Sequence, residues 1–311
     1  MNNMKALGSG LAAATLLAGL AALGESEAPR VVTTIDAPGA SGTFALDINS
    51  SGEVVGRYMS AGRTHGFLRA TSGEITTIDF PGAVFTVAAA INDEGDIVGM
   101  YRMPAEPASV RHGYLRRNGD FTTIDPPGSV FTNALGINER GDVVGRFCVR
   151  APCALASGSF RGFLWTKGEF AAIDFPGALE TDLFKITADG RALGGYVDAG
   201  GWSHLFLMSR DDVQAVDLPG SPSIALDNAG LNARGDIVGT ACDFSPCVIA
   251  AAGTYGFFLT KAGDFATIGI PGATATAASG INARGDVVGL YFDAAGTNHG
   301  FLLSAPRRDV P

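Results

Sequence analysis

The chain has 311 residues, 43 of them Gly and 15 Pro, and a formal net charge of −9. That length holds a large core, and the acidic balance speaks against a nucleic-acid partner, because a phosphate backbone selects a basic surface. No run of Lys and Arg with interleaved aromatic residues offsets the negative charge.

Residues 1–24 read as a secretory signal. Lys5 supplies a positive start, residues 7–23 form an Ala/Leu-rich apolar run, and Ala22-Leu23-Gly24 places small residues where a signal peptidase cuts. The run is short for a bilayer span. No Cys follows it to take a lipid anchor. The expectation is a secreted or periplasmic monomer with no membrane span after cleavage. Residues 25–30 read as a flexible lead-in.

Residues 31–36 (VVTTID) are rich in β-branched side chains and read as a strand, closed by the Pro38-Gly39 turn. Residues 45–49 and 53–58 form two more strands across a tight connection at 49–52. Residues 65–69 (HGFLR) make a fourth, and residues 74–79 repeat the first. The cycle then restarts. Asn49, Asn92, Asn138, Thr187, Asn232 and Asn282 mark six units, at spacings of 43, 46, 49, 45 and 50 residues. A period in this range signals a repeat architecture.

Six units of four strands predict an all-β six-bladed propeller over residues 31–303, with a tail at 304–311. The last unit lacks a TTID strand and the first strand lacks a unit, so the N-terminal strand is expected to close the last blade. Closure removes a sheet edge.

The repeats resemble the HAF-type extracellular repeat of bacterial proteins. The matching residues are IDFPGA at 78–83 and 173–178, IN-x-x-GD-x-VG at 91–99, 137–145, 231–239 and 281–289, and HGFL-like stretches at 65–68 and 299–302. The resemblance implies an exported β-repeat protein and brings no catalytic residue with it.

Cys148 and Cys153, and Cys242 and Cys247, sit in corresponding loops and are expected as two local disulfides, the form that export favours. Asp36, Asp79, Asp125, Asp174 and Asp217 each close an equivalent strand. Their repetition points to scaffold, with the carboxylate accepting nearby backbone N–H bonds. The IN-x-x-GD turns lack the oxygen framework of a calcium loop. His65, His112, His204 and His299 occupy equivalent places in different units and are not expected to share a metal. Neither a cofactor nor a metal site is predicted, and no catalytic residue is identified.

Variation is concentrated in the loops at residues 59–64, 102–111, 148–160, 197–203, 241–255 and 292–298, on one face of the fold. Function on a rigid scaffold gathers in such loops. The expected function is an exported non-catalytic binding module for an extracellular glycan or another exported protein. Its candidate ligand-face residues are Arg102, Arg111, Arg150, Trp202 and Tyr255. The alternatives are a secreted hydrolase or lyase acting on an extracellular polymer, and a structural protein of the cell envelope.

Overall fold

The computed structural model describes residues 30–151, 153, 159–210, 212–220, 223–226, 229–244, 247, 249–251 and 253–305. The expected signal at 1–24, the lead-in up to residue 29 and the tail from 306 lie outside the described residues. Every regular element among the described residues is a β-strand.

The third unit shows the plan. Phe131–Ile137, Val143–Cys148, Arg161–Thr166 and Glu169–Ile173 pair in that order, each antiparallel to the next. The VVG strand lies second and the GFL strand third. A tight turn joins the first two strands: Gly141 adopts φ 78° where the Asn138 turn reverses the chain, a conformation that favours Gly.

The motif has a packing cause. The Gly of each VVG strand stands opposite the aromatic residue of the GFL strand, as in Gly56↔Phe67, Gly145↔Phe163 and Gly289↔Phe301. The aromatic ring lies over that Gly. A Cβ on Gly145 would fall 2.0 Å from the carbonyl oxygen of Asn133 and 2.8 Å from the Phe163 ring. Phe67, Tyr114, Phe163, Phe206, Phe257 and Phe301 are all fully buried.

The innermost strands carry a second repeated device. Their register shifts between Ala45 and Asp47, Ala88 and Ala90, Ala134 and Gly136, and Leu183 and Lys185. Each shift leaves one extra residue that bends the strand. The extra residues Leu46, Ala89, Leu135 and Phe184 meet in one apolar cluster, so units distant in sequence share a core. Gly42–Ile48 touches both Phe85–Ile91 and Ala275–Ile281.

The expectation of a closed six-bladed propeller with separate four-stranded blades is corrected. Hydrogen bonding divides the strands into five sheets: three of four strands, one of five and one of eight. None of these sheets closes on itself. The eight-stranded sheet arises because a parallel pair, Thr64↔Phe85, bonds the first two sequence units across their boundary. The five-stranded sheet arises because the fifth unit divides its inner strand into Ser223–Ile224 and Gly230–Leu231. In four other units the Thr of the inner strand accepts the N–H that follows the TTID strand, as in Phe80 N–H to Thr86 Oγ1 at 3.1 Å. Ile224 occupies that place in the fifth unit and has no hydroxyl to offer. The two ends of the described chain do meet: Val31–Ile35 pairs antiparallel with Asn298–Ser304.

Candidate functional site

The loop that follows each VVG strand and the Pro-Gly turn that follows each TTID strand emerge at the same end of the antiparallel sheets. A repeated cassette of Tyr, His and a carboxylate lies at that end. Tyr58 stacks on His65, Tyr101 packs on His112, Tyr196 stacks on His204 and Tyr291 stacks on His299. The Asp that ends the TTID strand binds the His: His65 Nδ1 lies 2.7 Å from Asp79 and His112 Nδ1 lies 2.6 Å from Asp125. Arg161 takes the His place in the third unit and binds Asp174. The Asp series therefore works mainly through the cross-strand His or Arg. The expected capture of N–H groups in the following turn falls instead to the inner-strand Thr in four units.

Two of the four His rings are held from both sides. His112 has Asp125 on Nδ1 and Glu106 on Nε2 at 2.9 Å. His299 has Asp36 on Nδ1 and Asp293 on Nε2. Burial alone lowers the pKa of each ring, but the hydrogen bonds and negative charge of the two carboxylates outweigh it and raise both above the ordinary His value.

The fourth unit breaks the cassette. His204 turns Nε2 to Asp198 of the preceding loop at 3.1 Å. Asp217, which ends the TTID strand of this unit, makes no such bond and stays exposed. Asp198 also pins the loop, with Oδ1 accepting the N–H groups of Gly200 and Trp202 at 2.9 Å each. Those N–H bonds, foremost that of Trp202, with the bond from His204, hold the Asp198 carboxyl below the usual range. The pinned loop presents Trp202 with half its surface exposed. Trp202, Ser203, His204, Val216, Asp217, Leu218 and Ile224 line a groove of about 360 Å³. One indole, one imidazole and one carboxylate thus line it, with Asp198 bonded to the imidazole.

Of the sequence-predicted residues, Trp202 enters this groove. Arg102 and Arg111 come together elsewhere on the loop face, around the Phe85 ring. Arg150 is exposed beside the first disulfide. Tyr255 is partly buried against the central apolar cluster. The disulfides Cys148–Cys153 and Cys242–Cys247 are both formed. His204, Asp198 and Asp217 were not legible as a site. The one signal is that His204 precedes Leu205 where the other three His precede Gly. Among the described residues no three His, Cys, Asp or Glu side chains gather as a metal-binding set, and no helix is long and apolar enough to cross a membrane.

The fold defines a class: an all-β, propeller-like protein built of several small sheets. No family model matches the chain, and no curated protein matches it. Solved structures do. A triple Arg-to-Ala mutant of AofleA from Arthrobotrys oligospora aligns at 11% identity and TM-score 0.53, covering 88% of this chain and 86% of that one. An Aleuria aurantia lectin mutant in complex with alpha-methyl-L-fucoside aligns at 11% identity and TM-score 0.50, covering 91% of this chain and 96% of that one. An acylaminoacyl peptidase aligns at 11% identity and TM-score 0.50, over 86% of this chain but only 44% of that one. The fold is therefore shared, at low identity, with proteins of catalytic and of binding function alike, and it selects neither by itself.

Proposed function

We propose that this is an exported protein that engages an extracellular carbohydrate polymer at the Trp202 groove. The observation that carries the reading is the exposed Trp202 face on a pinned loop beside His204 and Asp217. An indole offers a flat apolar surface with low ordering cost, and polar groups at its edge fix the orientation of hydroxyls. Export is supported by the Lys5 and residue 7–23 pattern and by the two disulfides. The IDFPGA and IN-x-x-GD-x-VG stretches support reading the units as HAF-type repeats.

A second reading, a hydrolase or lyase acting on the same polymer, is favoured by the partner exchange at His204. Releasing Asp217 from the cassette leaves a carboxylate and an imidazole on one groove, the imidazole bonded to Asp198, and these are the elements of general acid–base chemistry. A single panel separates the readings. Purified mature protein is incubated with neutral and acidic polysaccharides while binding and chain shortening are followed together. Trp202→Ala should abolish binding. Asp217→Asn should retain binding and abolish shortening if the polymer is cleaved. Binding that survives Trp202→Ala unchanged removes the groove from the reading.

A further inference from the structure

In the second unit two arginines are held together with no carboxylate bonded to either. Most charged contacts in this acidic protein run the other way: Arg117 binds Asp96, Arg140 binds Asp142, Arg146 binds Asp182, Arg161 binds Asp174, and Arg284 binds Asp286. Arg102 and Arg111 have no such partner. Arg102 gives Nη1 to the carbonyl of Glu106 at 3.2 Å, and its Nε is buried with no hydrogen-bond partner. Arg111 gives Nη1 to the carbonyls of Ala108 and Val110, at 2.5 and 2.7 Å. Its guanidinium lies 4.3 Å over the Phe85 ring, and Phe85 is the cross-strand neighbour of Arg102.

The carboxylate of the nearest acid, Glu106, hydrogen-bonds neither guanidinium. Glu106 spends Oε2 on the N–H of Met103 at 2.8 Å and Oε1 on His112. The loop thus satisfies its carboxylate with a backbone amide and an imidazole, and the carboxylate's charge reaches both guanidiniums without a hydrogen bond to either. Burial, and after it the charge of Arg102, lowers the Arg111 pKa, and the charge of Glu106 offsets this only in part. A buried N–H without a partner and two like charges at close quarters are both unfavourable, and one oxyanion at the pair relieves the repulsion. The planar guanidinium fork suits a carboxylate or sulfate better than any single point charge.

We propose that Arg102 and Arg111 form a site for one oxyanion, the carboxylate or sulfate group of an acidic saccharide. The saccharide part rests on the function proposed above; the oxyanion part does not. The site lies on the loop face that also carries Trp202, since residues 103–111 and 198–202 are equivalent loops. It makes the protein selective for an acidic polymer over a neutral one.

The test begins with inorganic sulfate, titrated calorimetrically into the mature protein at ionic strength matched with sodium chloride. Wild type should take up one equivalent. Arg102→Gln and Arg111→Gln should each weaken uptake by about tenfold or more. Arg111→Lys keeps the charge, loses the fork and should fall between. Thermal unfolding in sulfate-free buffer checks that each variant is folded. No saturable sulfate uptake by wild type, or uptake unchanged in both Gln variants, overturns the site. Glucuronate oligosaccharides and their neutral counterparts form the second arm. Sulfate uptake lost in Arg102→Gln with oligosaccharide affinity unchanged overturns the saccharide assignment. Trp202→Ala should lose oligosaccharide and keep sulfate, which separates failure of the groove from failure of the anion site.

Discussion

Asn282 donates Nδ2–H to the main-chain carbonyl of Asn49 at 3.2 Å, across 233 positions of sequence. Asn49 does the same to Asn92, Asn92 to Asn138, Asn138 to Thr187, and Asn232 to Asn282. The Oδ1 of each of these Asn residues also accepts N–H groups of its own turn, as Asn282 does from Arg284 and Asp286. One amide therefore shapes a turn and ties it to the next unit. The relay is interrupted only where Thr187 replaces Asn.

Asn282→Ala should cost about 2 kcal/mol, because it leaves several buried partners without a bond. Thr187→Asn should add the missing link and stabilise by up to about 1 kcal/mol. Denaturant unfolding of both variants checks this. A neutral Asn282→Ala would show that the relay follows from the fold and does not support it.

The Gly opposite each buried aromatic residue tolerates no side chain. Gly145→Ala forces a methyl against the Asn133 carbonyl and the Phe163 ring. It should cost about 3 kcal/mol or more. Gly168→Ala, where a Cβ meets nothing within 4 Å, carries only the strain of its φ of 90°. Thermal melts should rank Gly145→Ala well below it.

Lys185 reaches Asp47 at 2.6 Å, with both side chains nearly buried between units distant in sequence. Lys185→Met should cost about 3 kcal/mol, since it strands the Asp47 charge. Asp47→Asn with Lys185→Met should recover most of that loss, because Asn keeps an acceptor for the Ile91 N–H. A double variant no more stable than Lys185→Met would deny the electrostatic origin.

His112 carries a raised pKa and Glu106 a lowered one. An unfolded His titrates near pH 6.5. The contribution of His112 is therefore complete below that value and is lost as pH rises through the raised folded pKa. Glu106 contributes above the unfolded carboxylate range and loses its share as pH falls through its lowered folded pKa. Relative to His112→Gln, wild type should be favoured at about pH 5.5 and lose that advantage by about pH 8.5. Denaturant midpoints at the two values check it. An advantage that grows with pH would contradict the clamped imidazolium.

Strand types, turns, disulfide partners and the six-fold repetition were written locally. A β-branched run beside Pro-Gly, or two Cys five residues apart within one loop, settles its own geometry through short-range sterics and chain closure. The division into sheets was not written there. One parallel pair at Thr64 and Phe85 merges two units, and it depends on how neighbouring strands approach in space. The same holds for the loop face. His112 and His204 occupy matching places in the repeat, yet one is clamped by Asp125 and Glu106 and the other turns to Asp198 and leaves Asp217 in a groove. Likewise nothing in the spacing of Arg102 and Arg111 shows that the Glu106 carboxylate bonds Met103 and His112 and neither arginine. Hydrogen bonds to distant residues fall off within a few ångströms, so which carboxylate reaches which cation was decided only when the loops were placed.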